Sequence, residues 1–166
     1  MRYLKIFEDY SGENLRWGNI GAGIIPFCEK TKRFLVGLRS EEVLEPHTWN
    51  GFGGKLDIDE VIDETIEIAA KRELEEETGF NVDIELIKGF IFKERNFEYH
   101  NYIGIISEEF QPVLNWENEE ARWTTYDELL RLRPKHFGLD RFLKESKEIF
   151  EKLAKPQNNL SFDEDF

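Results

Sequence analysis

Cysteine is almost absent from this chain. A single one, Cys28, stands among 166 residues. No internal disulfide can form, which fits a reducing compartment, and the chain reads as a cytoplasmic protein. Cys28 itself reads as a small apolar residue beside a strand rather than a nucleophile. Long apolar runs are missing as well. Nothing approaches the roughly 18 consecutive apolar residues of a membrane-spanning helix, and the opening MRYLKIFEDY has no apolar signal core. Neither a membrane span nor a cleaved leader is therefore expected. Basic residues are scarce: 22 Lys and Arg against 35 Asp and Glu give a formal net charge of −13. Bulk electrostatics then oppose nucleic acid and anionic membrane as partners. An anionic ligand can bind only at a locally positive site or through a metal ion. There is no internal repeat, and no EF-hand loop that would mark a calcium-binding helix pair.

What is present suffices for one folded domain: 40% of the residues are hydrophobic and 14% aromatic. Apolar runs at 20–27 and 33–40, split by a polar tetrapeptide, predict a β-hairpin or two neighbouring strands. Residues 42–55, rich in glycine and aromatics, read as a loop. A helix is expected over 61–78, capped by Asp59 or Asp63 and stopped by Gly79. Segments 82–95 and 99–107 read as a hairpin turning near Asn96. A further strand is expected over 121–126, a short helix over 127–132 and one amphipathic helix over 139–154. The order predicts an α+β fold, a mixed sheet packed by helices. Residues 1–154 form the expected domain, and 155–166 an acidic tail.

The stretch RELEEETG, residues 72–79, is the most charged part of the chain and raises the question of function. On a helical wheel, Ile62, Ile66, Ala69 and Ala70 form the inner stripe. Glu73, Glu76 and Glu77 continue that stripe toward the C-terminus, although like charges at such spacing repel. Lys71 and Arg72 can pair with acids four residues on, as on any charged surface helix. That pairing does not explain acids on the inner side. Clustered carboxylates of high oxygen density suit a hard divalent cation, Mg²⁺ or Mn²⁺.

The longer stretch GGKLDIDEVIDETIEIAAKRELEEETGF, residues 53–80, resembles the Nudix box, G-x5-E-x7-R-E-U-x-E-E-x-G-U with U bulky and apolar. Arg72, Glu73, Leu74, Glu76, Glu77, Gly79 and Phe80 match, and Glu64 has the spacing to Arg72. Gly54 lies ten residues before Glu64 rather than six, whereas Glu60 satisfies the Gly54 spacing alone. A four-residue insertion in the loop LDIDEVID accounts for both. The resemblance implies a Nudix-type α/β/α sandwich with a mixed central sheet, and a hydrolase that cleaves a diphosphate linkage in a nucleotide. It implies Glu73, Glu76, Glu77 and the Gly54 carbonyl as ligands of Mg²⁺ or Mn²⁺, with Arg72 holding the carboxylates. It also implies one more acid from a later loop. Glu117 fits an E-x5-W spacing to Trp123, with Glu120 as runner-up and Glu119 between them.

The loop TWNGFGGK, residues 48–55, resembles that of Nudix members acting on oxidised purine nucleoside triphosphates. It implies Asn50 against a base, with Trp49 and Phe52 as pocket aromatics; Arg39, after the second strand, and Lys55 are candidate phosphate contacts. Phe52 reads more readily as a core residue, Trp49 reads either way, and Asn50 also reads as a turn residue. The acidic pair that such members carry after a Trp-Pro is replaced here by Lys135-His136, and His100 and His136 read as structural or surface residues. A nucleoside triphosphate, oxidised or not, is the expected substrate. An ADP-ribose or nucleotide-sugar hydrolase, an RNA 5′-end pyrophosphohydrolase and a non-catalytic ligand-binding Nudix fold stay open, as does a homodimer.

Overall fold

The structure, a computed structural model, describes residues 19–56 and 65–156. At its centre, strand β1 (Asn19–Cys28) runs parallel to β6 (Phe97–Ile106) in register from Asn19 against Phe97 to Cys28 against Ile106. On one side β6 pairs antiparallel with β5 (Glu85–Glu94), which turns back at Arg95-Asn96 with Arg95 at φ 49°. On the other side β1 divides its edge. Gly21 to Ile24 pair with β4 (Phe52–Lys55), whereas Phe27 and Cys28 pair with β2 (Arg33–Arg39). β2 in turn carries β3 (Trp49–Asn50) and β7 (Asn118–Thr124). Parallel and antiparallel pairs coexist, as the mixed sheet requires.

Alternation along β1 sends successive side chains to opposite faces. Ala22 and Ile24 pack with Ala70 and Leu74 of helix α1 (Ile66–Thr78). Ile25 and Phe27 face the opposite core. That core is closed by α2 (Tyr126–Arg131), α3 (Phe137–Glu145) and α4 (Lys147–Ala154) through Leu129, Phe142 and Phe150. Burying a side chain such as Phe142 contributes about 1.5–3 kcal/mol. Helices therefore cover both faces of the sheet, the expected sandwich.

Three expectations need correction. Residues 42–55 are not all loop: β3 and β4 form because Trp49 and Phe52, 5% and 0% exposed, anchor them in the two cores. The long helix begins later than 61. Thr65 is extended at φ −73°, ψ 156°, and its hydroxyl accepts from the Ile68 N–H at 3.2 Å, so Thr65 is the cap of the described helix. Asp59 and Asp63, the expected caps, lie outside the described residues. Gly79, at φ 72°, closes the other end by donating its N–H to the Glu75 carbonyl at 2.8 Å. Finally, 139–154 is two helices. Ser146 leaves helical geometry between them, and its hydroxyl accepts from the Phe90 N–H of β5 at 2.8 Å. The acidic tail from 157 onward lies outside the described residues.

Candidate active site

Two rows of paired residues cross the sheet on the face shared with α3. Lys55, Gly21, Tyr99 and Phe92 stand side by side on β4, β1, β6 and β5, and Gly53, Gly23 and Asn101 form the next row. Above them lies a cavity of about 370 Å³. Its floor is low because of the glycines. A Cβ on Gly23 would stand 2.3 Å from the Tyr99 hydroxyl oxygen, and one on Gly21 2.7 Å from the Tyr99 ring. β4 and β5 are three strand spacings apart, roughly 14 Å. The two ends of the cavity differ in chemistry.

The β4 end is acidic. Glu73 reaches from α1 across the glycine strand, so close that a Cβ on Gly54 would lie 2.6 Å from its Oε2. Arg72 donates from one nitrogen to Glu73 Oε1 at 2.9 Å and to Glu76 Oε1 at 3.2 Å. Glu77 is buried. Its Oε1 accepts from the Gly53 N–H and its Oε2 from the Asn118 side-chain amide, each at 2.6 Å. Burial pushes the Glu77 carboxyl up to about 8. Its two hydrogen bonds pull it back, and Glu117 and Glu73 add to the rise. Burial likewise raises Glu73 above the ordinary carboxylate range, with Arg72 opposing. Of the later acids, Glu117 lines the cavity with Glu73. Glu119 faces His47 at 2.8 Å and Glu120 faces Arg122 at 2.7 Å.

Among the described residues, no His, Cys, Asp or Glu side chains already stand together as a set that could hold a metal ion. The chemistry of the donors nonetheless fits a hard divalent cation. All are oxygens, and two donors at 2.6 Å address the ionised form of Glu77 that burial and its acidic neighbours oppose. Glu76 departs from the expected inner arc: its side chain is 54% exposed, against 12% for Glu73. The buried arc runs through Ala69, Ala70, Leu74, Glu77 and Thr78, and Glu76 falls just outside its Ala69 edge, where a long side chain reaches solvent.

The cations are at hand. Lys55 and Arg39 line the cavity. Arg39 spends its hydrogen bonds on the Leu44 carbonyl, at 2.8 and 2.6 Å, which neutralises none of its charge. Burial lowers the Lys55 ammonium below its usual value. Asn50 also lines the cavity. Trp49 and Phe52 do not; both are core residues, because alternation along β3 and β4 turns their rings into the two hydrophobic clusters. Arg122 lies over the Trp49 ring at 4.7 Å.

The β5 end is aromatic. Phe92 packs 5.9 Å from Phe137 and 6.2 Å from Phe97, ring centre to ring centre. His136, read from the sequence as structural or surface, both lines this end and caps α3: its Nδ1 accepts from the Gly138 N–H at 3.0 Å. The backbone of Trp49 pins it there, donating to the Pro134 carbonyl and accepting from the His136 N–H at 2.9 Å. Lys135 turns away and donates to the Leu130 carbonyl at 2.7 Å. His100 pairs with Glu98. Tyr99, Asn101 and Asn118 also escaped the sequence reading. Tyr99 and Asn101 stand two apart on β6 and so share a face, but only the register shows that this face meets the glycines of β1. Asn118 carries no motif.

The model of the NUDIX domain family matches residues 18–145. The chain belongs to this family. The Nudix box then spans the end of β4 and α1, and its inserted loop, with Glu60, Glu64 and Asp57, lies outside the described residues. Over 93 residues the Nudix chain is 37% identical to an oxidized purine nucleoside triphosphate hydrolase of Danio rerio. That match covers 56% of this chain and 51% of the relative, so the chain spans about half the length of the curated relative it matches. Solved structures share the fold. A MutT protein from Methanosarcina mazei Go1 superposes with a TM-score of 0.64 at 20% identity, covering 86% of this chain and 100% of that one. The NUDIX domain of Shewanella oneidensis NrtR, solved with ADP ribose, gives 0.64 at 18% identity, covering 90% and 99%. No described helix is long and apolar enough to cross a membrane.

Proposed function

We propose that this Nudix chain is a divalent-metal-dependent pyrophosphohydrolase that cleaves a diphosphate linkage in a nucleoside triphosphate, whether or not the base is oxidised. One observation carries the reading: a single cavity joins an acidic end, Glu73 and Glu117, to cationic Arg39 and Lys55 and to an aromatic end beside Asn50. The likeness to a hydrolase of oxidized purine nucleoside triphosphates supports the choice of substrate. Glu73, Glu76, Glu77, Glu117 and the Gly54 carbonyl would hold Mg²⁺ or Mn²⁺. Such an ion, when bound, neutralises phosphate charge and lowers the pKa of a coordinated water.

The chain's own residues supply the rest. Asn118 and the Gly53 N–H fix Glu77 so that its carboxylate cannot swing away. Arg72 splays Glu73 and Glu76 from one guanidinium. Lys55 and Arg39 attract the phosphate chain, and the β5 end takes the base. The site of action is the cytoplasm, the working unit the single domain of residues 1–154, and a homodimer is compatible with it.

A second reading, hydrolysis of ADP-ribose or a nucleotide sugar, draws on the ADP-ribose complex of the NrtR domain. Comparing kcat/KM for dGTP, 8-oxo-dGTP, dATP and ADP-ribose separates the two. The triphosphates should dominate, and dominance of ADP-ribose would replace the first reading with the second. Asn50→Ala should lower kcat/KM for the purine triphosphates several-fold to about a hundred-fold, the loss of one hydrogen bond with or without a stranded partner. If it scales all four substrates equally, Asn50 is structural.

A further inference from the structure

Tyr99 lines the cavity between its two ends. On β6 it pairs with Gly21 of β1 on one side and with Phe92 of β5 on the other. Its ring extends over β1, away from Phe92. A Cβ on Gly21 would meet ring carbons at 2.7 and 3.1 Å, and one on Gly23 would meet the hydroxyl oxygen. The hydroxyl thereby reaches β4, where a Cβ on Gly53 would stand 2.5 Å from it. Glycines on both strands leave room for a ring in this position.

The hydroxyl therefore arrives at the acidic end. Gly53 donates its N–H to Glu77 at 2.6 Å, and the next residue, Gly54, abuts Glu73. Yet the Tyr99 hydroxyl donates to neither carboxylate and has no hydrogen-bond partner among the described residues. Burial, then the charges of Glu77 and Glu73, hold its phenol above the ordinary value, with Arg39 opposing. The group is a neutral donor that keeps its proton. A donor shielded from water and left unpaired is costly, and a bound acceptor removes that cost. The acceptor has to come to the β4 side, where Lys55 stands beside Gly21 in the same row and draws anionic oxygen. A flat ring packed beside Phe92 lies on the opposite side of Tyr99.

We infer that Tyr99 is a substrate-binding residue whose hydroxyl donates to a non-bridging oxygen of the phosphate attached to the sugar. In a nucleotide lying along the cavity, that phosphate stands between the base and the phosphates at the acidic end. The inference rests on the proposed nucleotide hydrolysis for the identity of the anion, and on the cavity floor for the donor.

Tyr99→Phe removes the hydroxyl and keeps the ring over its glycines. Calorimetry in Mg²⁺ with dGMP and with deoxyguanosine isolates the phosphate contact, because neither ligand has a diphosphate linkage to cleave. The variant should bind dGMP about tenfold or more weakly, as expected when a hydrogen bond to a charged acceptor is lost. It should bind deoxyguanosine as wild type does, with a thermal midpoint no lower than that of wild type. In turnover, KM for dGTP and for dATP should rise by similar factors while kcat changes far less. An equal loss for dGMP and deoxyguanosine places the contact on the sugar or base and overturns the assignment. Unchanged dGMP affinity in the variant overturns it too, as does a loss of turnover confined to one base. If wild type binds dGMP but turns over no triphosphate, the hydrolase reading fails and the dGMP comparison still decides Tyr99. Wild type that binds no dGMP refutes the contact whatever its turnover.

Discussion

The two ends of the cavity each bury a titratable side chain, and burial drives both toward neutrality with opposite consequences. At the acidic end Glu77 is pushed up to about 8 while two N–H donors at 2.6 Å address its ionised form. At the aromatic end His136 is pushed down to about 3, and its single acceptor bond suits the neutral ring. The first group is frustrated and the second is settled. A frustrated carboxylate beside Glu73 and Glu117 is a site waiting for positive charge. A settled imidazole is a fixed part of the cavity wall. The contrast teaches that similar desolvation builds a reactive place or a recognition place, depending on which protonation state the neighbours are arranged to bond.

The largest expected effect comes from neutralising the frustrated side. Glu77→Gln should keep the fold, because the amide can still accept from Gly53 and donate to a turned-over Asn118. It should cost turnover about 10²–10³-fold, the range for removing one preorganised charge-stabilising group. Steady-state rates in Mg²⁺ check this. A loss below about tenfold would place Glu77 outside the chemistry.

Next is the pH dependence of stability without metal. The Glu77 pKa is higher folded, about 8, than its ordinary 4.5, so between those values the native state holds a proton that the unfolded state has released. Stability from this group is present below about 4.5 and is lost as pH rises through about 8, on the order of a few kcal/mol in all. Glu77→Gln lacks this loss. Its thermal midpoint should gain on wild type between about pH 4.5 and 8, and a constant difference would contradict the assignment.

His136 gives the smaller, mirrored effect. Its folded value of about 3 lies below the ordinary 6.5, so the unfolded state binds the extra proton between them. Stability is then lost as pH falls below about 6.5, by up to a few kcal/mol near pH ~4. His136→Asn, which keeps the cap, should lose less on acidification than wild type. Parallel curves would mean that His136 is not buried neutral. Together the two variants sharpen the comparison, since one group should cost stability as pH rises and the other as pH falls.

The acidic end was legible in the sequence and the aromatic end was not. Glu73 and Glu77 lie on one helix, where a period of 3.6 residues reveals a common face. Their neighbour Gly54 follows in the same box. Glu76 stands at the edge of the buried arc, and its side chain is 54% exposed. The aromatic end is assembled from β5, β6 and the segment before α3, and Phe92 meets Tyr99 only through strand register. Register depends on long-range pairing, which no local pattern encodes. For the same reason Asn118, 41 residues from the carboxylate it holds, left no trace. The element order and the mixed sheet were readable from apolar runs. The break at Ser146 was not, since it depends on a bond to the Phe90 N–H of β5.

The central claim is that the acidic end works by holding a divalent ion against a nucleotide's phosphates. Pyrophosphate or phosphate release from dGTP by the wild-type chain, in Mg²⁺ and in excess EDTA, tests it most directly. The account predicts turnover in Mg²⁺ that disappears in EDTA and returns when Mg²⁺ is restored. An equal rate in EDTA would contradict it.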